Sequence, residues 1–265
     1  MAREFFDRQK EHWAYVRRRD LANEGLVIFV HGFRGSYLST WGELANYLTE
    51  HADSDLNLAK WDYLFVGYET YSIGTFMAIA QIIASQWEKA AKQDPPFERN
   101  AYKDLAIFAH SLGTLGVRQL LCAISLQPQG MADALRKAVL FGSPLNGSHL
   151  AGLGGLGRFV DFAKGKPASL MPGSFRILDA LKPENPELEM LHVWSKTIRT
   201  HGKGKFGPTR IILGADDHVV GRSTMVSWED NSECTTSMDH RAMVKVANAG
   251  ANTQGAVIDE LRALR

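Results

Sequence analysis

The chain has 265 residues, 45% hydrophobic and 22% charged, enough to bury a sizeable core and incompatible with a disordered or collagen-like polymer. Lys plus Arg total 30 against 29 Asp plus Glu, a formal charge of +1, so no electrostatic footprint for nucleic acid or an anionic membrane is present. Two cysteines, Cys122 and Cys234, are too few for a disulfide framework or a zinc ribbon, which predicts a reduced, cytoplasmic protein.

The first ten residues mix Arg3, Glu4, Asp7, Arg8 and Lys10 with single aromatics and lack the apolar stretch of a signal peptide. Arg17, Arg18 and Arg19 are followed by Asp20 and Glu24 and read as a solvated face. Short apolar runs then recur at 26–30, 62–67, 105–109, 138–141 and 210–213 between helical patterns. This alternation predicts an α/β protein with a mostly parallel central sheet flanked by helices. The runs are nearly all apolar instead of alternating, as in strands covered on both faces. A helix is expected to start at Thr40, with Glu43 completing a capping box. Another carries Phe76, Ile79, Ala80, Ile83 and Trp87 on one stripe, and a last one carries Val257, Leu261 and Leu264.

No apolar run approaches the ~18 residues that span a bilayer, so membrane contact is at most peripheral. One domain is expected over 1–265, since α/β folds often spend about 250 residues on a single domain. Residues 152–208 are long for a connection and read as an insertion with helices of its own, such as 187–197. A cap or lid over a cleft and a plain packing excursion are both open readings.

The run 105–109 enters the turn Ala109-His110-Ser111-Leu112-Gly113. A strained strand-to-helix elbow needs small residues two before and two after its serine, and Ala109 and Gly113 supply them. The bland alternative makes Ser111 an ordinary helix cap. A serine hydroxyl needs a base, usually histidine, whose pKa lies near neutrality. If the order is serine, acid, histidine, the acid lies just past the late strand 210–213, where Asp216 and Asp217 stand. Only His218 and His240 follow an acid there. His218 adjoins Asp217 and side chains of neighbours diverge, so His240 is the better base. His31 and His110 read as structural imidazoles that satisfy loop carbonyls. The 216–218 cluster does not read as a metal site, because contiguous side chains converge poorly on one ion.

These residues resemble the α/β-hydrolase superfamily over roughly residues 25–250, in its serine esterase and lipase-like branch, including esterases akin to inositol deacylases of lipid anchors. Val30-His31-Gly32-Phe33 resembles that family's His-Gly turn, and 109–113 its nucleophile elbow with alanine in place of the first glycine. Phe141-Gly142-Ser143-Pro144-Leu145-Asn146-Gly147-Ser148 is similar to the Gly-Thr-Pro-His-Arg-Gly-Ser stretch of lipase-like relatives, departing at Leu145 and Asn146. Gly214-x-x-Asp217 matches the acid loop and favours Asp217; Asp216 serves if the turn shifts by one residue.

The resemblance implies an α/β-hydrolase fold and a serine esterase or lipase-like hydrolase. Its catalytic residues would be Ser111 as nucleophile, His240 as base and Asp217 as orienting acid. The oxyanion hole would be formed by the backbone amides of Phe33 and Leu112. No cofactor is expected, and the partner is a small-molecule or lipid ester. Gly152, Gly154, Gly155, Gly157, Phe159, Phe162, Leu170 and Met171 either line an acyl tunnel or belong to ordinary core. A thioesterase or acyltransferase would use the same triad, and a non-catalytic binding module on this fold is the reading from a different class.

Overall fold

Register decides where each strand releases the chain. The computed structural model describes residues 3–19, 22–70, 72–98, 100–126, 130–145, 147–148, 175–183, 185–201, 209–220, 232–235, 238–250 and 253–264. Its strands are β1 (Arg3–Arg8), β2 (Trp13–Arg18), β3 (Gly25–Val30), β4 (Trp61–Val66), β5 (Asp104–His110), β6 (Leu135–Phe141), β7 (Thr209–Gly214) and β8 (Ser232–Thr235). They form one sheet in the order β1-β2-β4-β3-β5-β6-β7-β8. β2 lies antiparallel to both β1 and β4, and every pair from β4 to β8 is parallel. The five apolar runs are five of these strands. The hairpin β1–β2 was not among the expected elements, because its sequence mixes charges with single aromatics.

Alternate side chains explain why the central parallel strands are mostly apolar on both faces. Leu26, Ile28, Val30, Leu105, Ile107 and Ala109 join a core on one face with α2 (Phe76–Ala91) and α3 (Leu112–Ser125). Val27, Phe29, Ala106 and Phe108 join a second core on the other face with α1 (Leu44–His51). The single turn α4 (Met131–Ala134) precedes β6, α5 (Phe175–Ala180) and α6 (Pro186–His201) lie within the 152–208 segment, and α7 (Ala256–Arg262) ends the fold. Leu188, Leu191 and Ile198 of α6 join the α2–α3 core, and Val257, Ile258 and Leu261 of α7 join the α1 core. The expected stripe of Phe76, Ile79, Ala80, Ile83 and Trp87 is the buried face of α2.

The helix expected from Thr40 begins at Leu44, and its cap residue, Glu43, makes no side-chain cap bond. Trp41 is fully buried edge-on against Phe29, at a ring separation of 5.0 Å. Its carbonyl accepts from Val246 N–H, while Glu43 N–H donates to Val246 O, so these residues pair sideways instead of winding. The Glu43 carboxylate takes Asn46 Nδ2 instead of turning back to Thr40.

Arg17 and Arg18, expected on a solvated face, are half-buried and pair with Glu4 and Asp53. Among the described residues no helix is long and apolar enough to cross a membrane. The tunnel or core residues proposed between 152 and 171, and Asn146, lie outside the described residues.

Candidate active site

The pairings Val30↔Ala109, His110↔Phe141 and Phe141↔Ile212 bring four strands to their C-terminal ends at one level. His31, Ser111, Gly142 and the turn after Gly214 therefore leave the sheet side by side. Ligands of open parallel sheets bind outside this edge.

Ser111 has φ 52° and ψ −123°, a conformation that costs a non-glycine residue about 1–3 kcal/mol. It is locked there: its N–H donates to Phe141 O at 2.9 Å, and its carbonyl accepts from Thr114 N–H and from Thr114 Oγ1. Thr114 Oγ1 also meets Ser143 Oγ at 2.7 Å, tying the elbow to the end of β6. The Ser111 side chain makes no cap bond to α3, which removes the helix-cap reading. Gly32 approaches so closely that a Cβ there would lie 2.7 Å from Ser111 Cβ. Glycine at position 32 is thus required for the turn after β3 to pass Ser111.

His240 Nδ1–H donates to Asp217 Oδ2 at 2.7 Å, which leaves Nε2 as the basic nitrogen. Asp217 is 4% exposed, and its other oxygen accepts from Val219 and Val220 N–H at 2.9 Å each. Both carboxylate oxygens are fixed, as orienting a base requires. Asp216 and His218 are exposed, so the structure pairs Asp217 and not Asp216 with His240. No hydrogen bond joins Ser111 Oγ to His240; contacts of this kind tighten when a substrate is seated.

Gly142 has φ +55°, and a Cβ there would lie 2.9 Å from His240 Nδ1 and 3.3 Å from Asp217 Oδ2. Ser148 Oγ donates to Val219 O at 2.9 Å, steadying the acid loop from the far end of the same stretch. The 141–148 motif thus supports the histidine–aspartate pair through one glycine and one hydroxyl.

The two remaining buried histidines satisfy loop groups as expected. His31 Nδ1–H donates to Gly32 O at 2.8 Å and its Nε2 accepts from Tyr68 N–H at 3.1 Å, a pattern only neutral imidazole can make. Burial pushes its pKa down to about 4. His110 Nε2–H donates to His240 O at 2.7 Å, and burial followed by the neighbouring His240 holds its pKa well below the usual value. His110 therefore grips the backbone of His240, a link that no local sequence pattern signals. The same is true of Thr114, whereas Ser143 and Ser148 belong to the 141–148 stretch already singled out.

Leu112 opens α3, so its N–H has no carbonyl within the helix to bond. Phe33 follows Gly32 on the turn facing Ser111, and both positions proposed for the oxyanion hole border the elbow. Among the described residues no group of three His, Cys, Asp or Glu side chains is placed to hold a metal ion.

No protein-family model matches the sequence, and no curated protein matches it. Solved structures do match the fold. The mature form of the Bacillus licheniformis lipase BlEst2 is 12% identical with a TM-score of 0.60, over 88% of this chain and 93% of that one. The Paleococcus ferrophilus monoacylglycerol lipase is 13% identical with a TM-score of 0.54, over 99% of this chain and 100% of that one. Phospholipase PlaB from Legionella pneumophila is 21% identical with a TM-score of 0.51, over 72% of this chain and 39% of that one. The chain has the α/β-hydrolase fold, which it shares with these lipases.

Proposed function

We propose that the protein is a serine hydrolase that cleaves carboxylic esters. The observation that carries this reading is the buried His240–Asp217 pair at 2.7 Å on the same strand-end edge as Ser111, whose backbone is held at φ 52°. His240 Nε2 takes the proton of Ser111 as Oγ attacks the ester carbonyl carbon, and the carbonyl oxygen becomes an oxyanion. Amides at Phe33 and Leu112 are the donors proposed to stabilise it. Collapse of the tetrahedral species breaks the bond to the alcohol, which leaves with the proton from His240. Water, deprotonated by His240, then attacks the acyl-Ser111 ester and releases the acid, restoring the enzyme. Asp217 holds the imidazole in the reactive tautomer through its bond to Nδ1–H.

The neighbours in fold include lipases, a phospholipase and a monoacylglycerol lipase, which supports lipid esters as the first substrates to try. A p-nitrophenyl ester series of increasing acyl length tests the reading. Turnover in the parent protein that disappears in Ser111→Ala and Asp217→Ala is expected; turnover persisting in both variants contradicts it.

A further inference from the structure

His110 joins the two halves of the proposed site. As the last residue of β5 it pairs with Phe141 and hands the chain directly to Ser111, whose own N–H is bonded to Phe141 O. Its side chain reaches the loop of the proposed base: Nε2 lies 2.7 Å from His240 O, and the two imidazole rings stand 4.7 Å apart at 46°. A carbonyl oxygen only accepts, so Nε2 carries the hydrogen, and in the neutral ring Nδ1 keeps its lone pair. The ring is buried, and burial followed by the neighbouring His240 disfavours a second proton on it.

Both rings are also held sterically. A Cβ at Gly32 would lie 3.1 Å from His110 Nδ1, and one at Gly142 would lie 2.9 Å from His240 Nδ1. Each imidazole therefore lies close against a glycine turn, His110 against the turn after β3 and His240 against the turn after β6.

The loop that carries His240 needs such a hold. His240 lies outside every helix and strand, beside Asp239, whose Oδ1 accepts from Arg241 and Ala242 N–H. Those bonds shape the turn without tying it to the sheet. Met238 O accepts from Asp216 N–H at 3.3 Å and Asp217 takes His240 Nδ1–H, which fastens the loop to the acid turn; Val246 fastens its far end to Trp41 and Glu43. None of these contacts refers the imidazole to the nucleophile. The His110 bond does, because His110 and Ser111 are consecutive and the locked elbow fixes both. Asp217 sets which nitrogen of His240 is basic, while the carbonyl held by His110 sets how far that nitrogen stands from Ser111. We infer that His110 is a positioning residue whose Nε2–H holds the His240 carbonyl and so keeps the base in reach of the adjacent nucleophile. It neither touches the substrate nor moves a proton. This rests on the ester-hydrolase reading above.

The test compares ester turnover, urea unfolding and proton NMR in the parent protein and in His110→Gln, His110→Asn and His110→Leu. The amide nitrogen of glutamine sits as many bonds from Cβ as histidine Nε2 and can donate to His240 O; that of asparagine matches Nδ1 and falls short, and leucine keeps bulk without a donor. Per folded molecule, kcat is expected to fall about 10–100-fold in His110→Asn and His110→Leu and to recover to within about threefold of the parent in His110→Gln, with KM within about twofold throughout. A loss of stability in His110→Asn and His110→Leu with kcat per folded molecule unchanged makes His110 a purely structural imidazole and overturns the inference. An equal loss of kcat in all three variants overturns it too, since the donor would then not be what matters. Should His110→Leu fail to fold, the pair of amide variants carries the same comparison. The Nδ1–H of His240, bonded to Asp217, is expected to give a far-downfield proton signal in the parent and in His110→Gln, broadened or displaced in the other two as the imidazole loosens. If the parent cleaves no ester, the hydrolase reading fails and this signal alone judges the hold of His110 on His240. A signal unchanged in all three variants then overturns it.

Discussion

At the N-terminal ends of the parallel strands, the buried Asp62 carboxylate accepts from Tyr102 Oη, Asn100 Nδ2, Asn23 Nδ2 and Arg18 N–H, with Arg3 Nη1 at 3.6 Å. Tyr15 and Tyr102 hydroxyls bond one another and complete the ring of partners. At the C-terminal ends, Ser111 stands on a positive-φ elbow, and its hydroxyl makes no cap bond to the helix that follows. One cluster answers a buried charge with many donors and fixes the β1–β2 hairpin to the sheet. The other spends its hydrogen bonds on holding backbone and imidazole, and on the proposed reading the hydroxyl and one ring nitrogen are what remains for chemistry. That reading assigns stability to one end of these strands and activity to the other.

The sharpest break of that contrast is at the C-terminal ends. Ser111→Ala should lower kcat by ~10³-fold or more while moving stability by less than about 0.5 kcal/mol, since its hydroxyl has no structural bond to lose. Ester turnover and urea unfolding on one sample check both halves. Asp62→Ala should do the opposite. It leaves several buried donors and the Arg3 guanidinium without their acceptor, at a cost of about 3–5 kcal/mol, with kcat per folded molecule unchanged. Asp62→Asn, which keeps the shape and an acceptor oxygen, should lose less.

Acid sharpens the same division. The pKa of His31 is about 4 folded against about 6.5 unfolded, so the unfolded chain binds more protons between these values. Stability should therefore be full above pH 6.5 and fall as pH drops towards 4, by up to about 3 kcal/mol from His31 alone. His110 adds in the same direction. Asp62 contributes the reverse sign, because burial raises its carboxyl pKa and its protonation is favoured in the folded state. Urea midpoints at pH 7, 5.5 and 4.5 should fall in that order in the parent and fall less in His31→Gln.

The smallest expected effect is at the seam between strand and site. Gly142→Ala forces a side chain into a φ of +55° and against the His240 ring, and should cost about 1–3 kcal/mol of stability. It should also cost about 10–100-fold in kcat, because a displaced imidazole reacts poorly. A kcat unchanged by this substitution would mean that the 141–148 stretch does not set the position of His240.

What could be read from the sequence follows the physics of each region. The parallel strands announce themselves because both faces are buried, so 26–30 and 105–109 are apolar without interruption. The small neighbours that a strained turn demands made Ser111 the expected nucleophile, and the scarcity of histidines after an acid at a strand end made His240 the expected base. The choice between Asp216 and Asp217 needed the turn geometry that buries one and exposes the other. The β1–β2 hairpin stayed hidden because its charged residues find their partners only in three dimensions, Arg3 with Asp53 across the fold and Arg17 with Glu4 on the facing strand. The capping pattern at Thr40 and Glu43 failed for a related reason: long-range pairing of Trp41 and Glu43 with Val246 outweighed a local helix signal. The His110 grip on the His240 carbonyl spans 130 positions and leaves no local trace.

The central claim is an activated Ser111, and fluorophosphonate labelling followed by peptide mapping tests it most directly. A phosphonyl adduct is expected on Ser111 in the folded parent protein, none in Ser111→Ala, and strongly slowed labelling in His240→Ala. An adduct on another residue, or labelling of Ser111 at an unchanged rate without His240, would contradict it.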